Sequence, residues 1–131
     1  MTATLGGVIA LACFPAVLSA RTGPVTLPSA DGAAACRMSV AAAVCANREV
    51  QHGAKPVALV LPRKGAPRVA HRTLAWSSTT PVLARGASER LGRFTCAGVG
   101  SGLLCRVPGG AAIAVSASGI SVLAAPAVHD G

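Results

Sequence analysis

The chain has 131 residues, which is enough for one domain and too few for two of ordinary size. Hydrophobic residue types make up 52%, but Ala and Gly fill 43 positions and only three residues are aromatic. The twelve basic and four acidic residues give a net charge of +8. The content of Val, Leu and Ile excludes a wholly disordered chain, and the lack of a second long apolar run excludes a polytopic membrane protein.

The first twenty residues have the features of a secretory signal. They carry no charge, and the apolar run at 5–18 is shorter than the roughly 20 residues that a membrane-spanning helix needs. Small residues, Ser19 and Ala20, follow where cleavage is expected. We predict a signal peptide at 1–20, a domain at 21–123 and a flexible tail at 124–131. Cys13 belongs to the predicted signal peptide. The alternative is that 1–20 belong to the mature fold.

Short β-prone runs separated by turn residues follow the predicted signal. The first run ends at Pro28, and Asp31-Gly32 is a turn signal. Runs are expected at 25–27, 34–39, 43–47, 57–61, 73–77, 81–84, 94–97, 103–107, 111–116 and 120–123. Residues 63–72 are expected to form a basic loop. This spacing is typical of an all-β fold, a small sandwich or barrel of short antiparallel strands.

Four cysteines remain after the predicted signal, namely Cys36, Cys45, Cys96 and Cys105. Both pairs have eight residues between their members, and the pairs are offset by 60. An even number of cysteines in an exported chain indicates disulfides, with three possible pairings. Local pairing is favoured because each pair brackets turn-like residues, so we predict two copies of one stapled hairpin. A zinc site is disfavoured, since its cysteines are usually two to four residues apart.

Several motifs occur in a characteristic order. Gly-Arg-Phe-Thr-Cys at 92–96 precedes Gly-Leu-Leu-Cys at 102–105 and a glycine-led strand at 109–116, and Leu-Pro-Ser-Ala-Asp-Gly at 27–32 comes before the first cysteine. This order resembles a family of small exported bacterial proteins classed as a domain of unknown function. The resemblance covers roughly residues 25–123. It implies export and a disulfide-bonded β domain, and it implies no particular activity.

Residues suited to catalysis are few and scattered. The histidines and acids are His52, His71, His129, Asp31, Glu49, Glu89 and Asp130. No serine lies in a Gly-x-Ser-x-Gly elbow, and the glycines at 98–102 lack the spacing of a phosphate-binding loop. We therefore expect no enzyme, no cofactor and no bound metal.

The positive lead is a basic segment. Arg63, Lys64, Arg68 and Arg72 lie within ten residues, with His71 beside them. Such a surface attracts anionic polymers through a salt-dependent field, and for an exported bacterial protein these are polymers of the cell envelope. Nucleic acid is not expected, because aromatic residues for base stacking are nearly absent. The alternative is that these charges only maintain solubility.

A further interpretation is a protein-binding or inhibitor module. It would present a stapled hairpin turn, 39–42 or 98–102, to a partner, since a rigid turn lowers the ordering cost of binding. A secreted hydrolase is the remaining alternative. The sequence also predicts an extracytoplasmic monomer with no membrane span once the signal is removed.

Overall fold

A computed structural model describes residues 23–123, which form ten β-strands and one helical turn. In chain order these are β1 (Val25–Pro28), β2 (Ala34–Met38), β3 (Ala42–Asn47), α1 (Arg48–Gln51), β4 (Val57–Pro62), β5 (Arg68–His71), β6 (Ser88–Leu91), β7 (Phe94–Val99), β8 (Gly102–Arg106), β9 (Ala112–Ser116) and β10 (Gly119–Leu123). The predicted signal peptide and the predicted tail lie outside the described residues.

The strands form two five-stranded antiparallel sheets. Sheet 1 contains β1 to β5 and sheet 2 contains β6 to β10, and in both sheets each strand pairs with the next strand along the chain. Antiparallel neighbours need only short connections, which matches the close spacing of turn residues in the sequence. The predicted all-β class is confirmed, and the architecture is a sandwich of two sheets rather than one closed barrel.

The main hydrophobic core lies between the two sheets. Alternate residues of each strand face inward, among them Leu27 and Leu59 from sheet 1 and Phe94 and Ile113 from sheet 2. Phe94 is the largest fully buried side chain, and burying a residue of this size stabilises the fold by about 1.5–3 kcal/mol. Several other inward positions hold Ala or Cys. The core is therefore built largely from small side chains.

Both disulfides lie in this core and join directly opposed residues of neighbouring strands. Cys36 pairs with Cys45 across β2 and β3, and Cys96 pairs with Cys105 across β7 and β8. The predicted local pairing is confirmed. In each sheet the bond links the second strand to the third, so the repeated cysteine spacing corresponds to a repeated structural unit. On the chain-entropy model each short loop stabilises the fold by roughly 2.5–3 kcal/mol.

The outer face of sheet 1 carries a second apolar cluster. It contains Val44, Ala58 and Val60, and it is covered by Leu74 and Trp76 from the segment that follows β5. This segment crosses the sheet as irregular chain. Sheet 1 therefore has apolar side chains on both faces, which explains the nearly continuous apolar sequence of β4.

The side chain of Gln51 fastens the covering segment to the sheet. Its Nε2 atom donates to the carbonyl oxygens of Val57 and Arg72, both at 2.8 Å, and its Oε1 atom accepts from the backbone N–H of Leu74 at 2.8 Å. The bonds to Arg72 and Leu74 satisfy backbone groups of the irregular segment, and the bond to Val57 joins the same side chain to the first residue of β4.

Four segments of the predicted strand pattern differ from the structure. Residues 68–71 form β5 within the predicted basic loop, and 88–91 form an unpredicted strand, β6. The predicted strands at 73–77 and 81–84 are irregular chain. The polar segments 68–71 and 88–91 are extended because they pair with β4 and β7 respectively. Local composition does not predict such pairing, since strand propensity depends strongly on context.

No helix among residues 23–123 combines the length and the apolar character needed to cross a membrane.

Candidate functional site

The four predicted anion-binding residues lie on and beside one hairpin of sheet 1. Arg63 and Lys64 lie in the turn between β4 and β5, Arg68 begins β5, and Arg72 directly follows it. All four side chains are exposed, and none of them forms an ion pair with another described residue. The structure therefore brings the predicted residues together along one edge of the sandwich.

Strand register shows which way the basic side chains point. Arg68 lies opposite Val60, and Val60 belongs to the apolar cluster on the outer face of sheet 1. Because directly paired residues share a face, Arg68 projects from that outer face. Val60 in turn lies opposite Val44, and Val44 lies opposite Arg37.

Arg37 therefore belongs to the same row as Arg68, a contribution that the sequence analysis missed. The two arginines are three strand spacings apart, about 14 Å, with Val44 and Val60 between them. Arg37 is exposed, and its Nη1 atom donates to the Oγ1 atom of Thr26 at 3.4 Å. The sequence of the run at 34–39 carried a signal for this contribution, because Arg37 is its single charged residue and is therefore expected to face solvent. We call Arg37, Arg63, Lys64, Arg68 and Arg72 the basic face.

A second polar region surrounds Trp76, about which the sequence analysis made no functional prediction. The indole Nε1–H donates to the carbonyl oxygen of Gly32 at 2.9 Å, which holds the ring in place. The guanidinium of Arg48, at the start of α1, lies over the ring at 4.4 Å from its centroid, a cation–π contact. Two open clefts, of about 400 and 380 Å³, are each lined by both residues of this pair. The sequence gives no sign of this region, because Arg48 and Trp76 are far apart in the chain and come together only in the folded structure.

One of these clefts includes Asp31, a residue of the predicted turn. A hydrogen bond from the Ser29 hydroxyl, at 2.7 Å, and a second from the Ala33 N–H, at 3.0 Å, hold the pKa of the Asp31 carboxyl below its usual value. Gly32 has a positive φ of 74°, which favours glycine in a tight turn. Asp31 therefore builds the turn that supports Trp76 rather than a site of proton transfer.

The remaining candidate chemical groups do not form a shared centre. Within residues 23–123, the group of potential metal ligands with closely spaced atoms consists of Cys36, Cys45 and Cys105. All three are joined in disulfides, so their sulfur atoms are not thiolate ligands. His52 and His71 are exposed, at the end of α1 and in β5.

The two stapled hairpin turns each present an exposed valine. Val40 lies in the turn between β2 and β3 and is 54% exposed, and Val99 at the end of β7 is 57% exposed. The first turn is held by Ser39, whose hydroxyl accepts from the N–H groups of Ala41 and Ala42. The first tip is therefore held in place by hydrogen bonds, and both valines are available for contact with a partner.

An open groove of about 310 Å³ lies on sheet 2, over β8, β9 and β10. Its lining is apolar or small, including Leu104, Ala114 and Ile120, with hydroxyls from Ser116, Ser118 and Ser121 at the rim. No charged residue lines it. The groove therefore differs in chemistry from the basic face.

Comparisons of the chain with models of protein families, with curated proteins and with solved structures find no match. The resemblance to the family of small exported bacterial proteins therefore stays a prediction.

Proposed function

We propose that this protein is an exported, non-catalytic binding protein that holds anionic polymers of the bacterial cell envelope on its basic face. The observation that carries the proposal is the placement of Arg63, Lys64, Arg68 and Arg72 on one exposed hairpin. Arg37 extends the charge onto the strand face beside this hairpin. Two disulfides in the core support an oxidising compartment outside the cytoplasm.

The shape of the basic face suits a flexible polyanion. Its charges are spread over about 14 Å of sheet surface and continue into the turn at 63–67, and all five side chains are exposed. Arginine binds phosphate and carboxylate groups through paired N–H donors. A repeating anionic polymer can contact several of these donors at once, which raises overall affinity without a deep pocket.

The test measures retention on isolated cell wall, and on a resin carrying a phosphodiester polymer, as salt is increased. Binding by the basic face is expected to fall steeply with salt, because released counterions drive the interaction. A variant with Arg63, Lys64, Arg68 and Arg72 all changed to Gln should lose about tenfold or more in affinity. Retention that does not respond to salt would contradict the proposal.

A matched control removes the same number of charges elsewhere. The exposed arginines Arg85, Arg90, Arg93 and Arg106 belong to sheet 2 or its connections, and changing them to Gln lowers the net charge equally. The proposal predicts that this control keeps most of its retention. Equal loss in the two variants would show that retention depends on net charge alone, and unchanged retention in both variants would favour the solubility alternative.

The second candidate function is a protein-binding or inhibitor module, and the exposed valines at the hairpin tips favour it. In that case Val40→Asp or Val99→Asp should abolish a saturable complex with one protein partner, and the charge variants should leave that complex intact. Reduction of the disulfides should also weaken it, because the staples keep the tips ordered. Capture experiments with the oxidised protein distinguish this candidate from polymer binding.

A further inference from the structure

Two sheets have four edge strands, and three of these edges are protected against pairing with another chain. Exposed edges are normally blocked by charge, proline, short length or a covering segment. β1 is four residues long and ends at Pro28, and the backbone N–H of Leu83 donates to the Pro28 carbonyl at 2.8 Å. β5 carries Arg68 and His71. β6 carries both an acidic and a basic side chain.

Among residues 23–123, nothing of this kind protects the fourth edge, β10. It is five residues long with the sequence Gly-Ile-Ser-Val-Leu, and it contains neither proline nor charge. Val122 is 47% exposed and Leu123 is 41% exposed. They are the last two residues of the strand and point to opposite faces of the sheet, so both faces expose apolar surface at this end. Within the described part of the chain, the outer side of β10 has no strand partner, so this edge offers backbone groups for pairing together with apolar side chains.

The distribution of charge indicates which partner fits this edge. The chain carries a net charge of +8, so two copies repel each other over most of their surfaces. Residues 107–123, which include β9 and β10, contain no charged side chain. Repulsion between two copies is therefore smallest when they meet along β10.

The sequence of β10 is also complementary to itself. An antiparallel pairing centred on Ser121 places Ile120 opposite Val122 of the second copy, and Gly119 opposite Leu123 of the second copy. Ile120 and Val122 lie opposite core residues of β9, Val115 and Ile113, so this pair would extend the core and cover the exposed Val122. Glycine leaves room for the larger leucine on the other face.

We propose that β10 is a self-association site, at which a second copy adds through antiparallel β10–β10 pairing to give one continuous ten-stranded sheet. This departs from the monomer expected from the sequence, because no residue pattern shows in advance which strand lies at an edge. One added strand pair is a small interface, and interfaces of this kind are weak and transient.

The first experiment measures molar mass by light scattering across a range of protein concentrations. We expect the mass to rise toward twice the monomer value, and the dimer to strengthen with added salt because salt screens the repulsion between the copies. Polymer binding should weaken with the same salt, so failure of one proposal is distinguishable from failure of the other. A monomer at every concentration and salt level would overturn the inference.

A cross-linking experiment locates the contact. In the proposed register Ser121 lies opposite itself, at a Cα separation of about 4.5–5.5 Å, which a disulfide can span. Ser121→Cys should oxidise to a covalent dimer at least about tenfold faster than Ser118→Cys, whose position is the exposed turn before β10. The unchanged chain controls for Cys13. Equal rates at the two positions would contradict the register.

A charge variant supplies an independent readout. Val122→Lys places a cation on the edge, and we expect at least about a tenfold weaker dimer, with the strand content checked by circular dichroism. If this variant does not fold, Leu123→Lys makes the same test from the other face of the strand. A dimer that persists unchanged in a folded lysine variant would show that the copies meet elsewhere.

Discussion

At the scale of single residues, polar side chains determine how the turns of this fold are built. Ser29 is fully buried; its hydroxyl donates to the Asp31 carboxylate and accepts from the backbone N–H of Ala34 at 3.1 Å. The carboxylate also accepts from the N–H of Ala33. This small network closes the turn before β2 and holds the carbonyl of Gly32 where the indole of Trp76 can reach it.

The network predicts a pH dependence of stability. The pKa of Asp31 is lower in the folded protein than its ordinary value of 3.8, chiefly because of the Ser29 hydrogen bond. Its contribution is therefore complete above the unfolded-state pKa, and it is lost as the pH falls through the lowered folded value. As the pH is lowered from about 6 to about 2, the free energy of unfolding of Asp31→Asn should fall less than that of the unchanged chain. Urea unfolding at each pH measures both values. The same loss of stability with falling pH in Asp31→Asn and in the unchanged chain would contradict the prediction.

At the scale of elements, Asn47 joins three parts of the structure. It ends β3, and its Oδ1 atom accepts from the backbone N–H of Val50 at 2.8 Å, capping α1. Its Nδ2 atom donates to the carbonyl oxygen of Ser116 at the end of β9, at 2.9 Å. The side chain is almost fully buried. One residue therefore starts the helical turn and links sheet 1 to sheet 2.

Two substitutions should separate the capping of α1 by Asn47 from its hydrogen bond to β9. Asn47→Ala is expected to destabilise the fold by about 1–3 kcal/mol, because it removes the cap and leaves the partly buried Ser116 carbonyl without its donor. Asn47→Ser retains a capping oxygen but is too short to reach β9, so its loss should be smaller. Denaturant unfolding of the oxidised proteins measures both values. Equal losses would indicate that the cap contributes nothing.

Elements also differ in how far their sequence predicts them. The positions of β2, β3, β7 and β8 follow from apolar runs around the cysteines, and the turn at Asp31-Gly32 follows from residue type. Residues 73–77 have the composition of a strand but cover sheet 1 as irregular chain. Their backbone bonds to the Gln51 side chain instead of a neighbouring strand, a partner that lies outside any local sequence window.

At the scale of the whole molecule, the two disulfides meet at the centre of the sandwich. The Sγ atoms of Cys45 and Cys105, which are 60 residues apart, are separated by 3.6 Å. They occupy the third strand of their respective sheets. The equal offset in sequence thus corresponds to equivalent positions on either side of the core.

This proximity predicts that the sheets can be linked directly. In the double variant Cys36→Ser and Cys96→Ser, the remaining Cys45 and Cys105 should oxidise to an inter-sheet disulfide in the folded protein. A non-reduced peptide map detects the bond. The same variant oxidised in denaturant is the control, because unfolding removes the proximity and should slow bond formation. Two free thiols in the folded, oxidised variant would contradict the prediction.

The basic face also belongs to this scale. Arg63, Lys64, Arg68 and Arg72 were identifiable as a cluster because they lie within ten residues of one another. Arg37 joins them only through the register of β2, β3, β4 and β5. The pairing of Arg48 with Trp76 likewise depends on the path of the chain across sheet 1.

The sequence by itself determined the all-β class, the local disulfides and the close spacing of Arg63, Lys64, Arg68 and Arg72. Each of these depends on residues close together in the chain, where apolar runs, turn residues and cysteine spacing act directly. Only the tertiary structure decided that Arg37 joins the basic face, that 72–77 cover sheet 1 and that β10 is an edge without charge or proline. These features depend on strand register and on contacts between distant segments, and residue type alone does not specify such contacts.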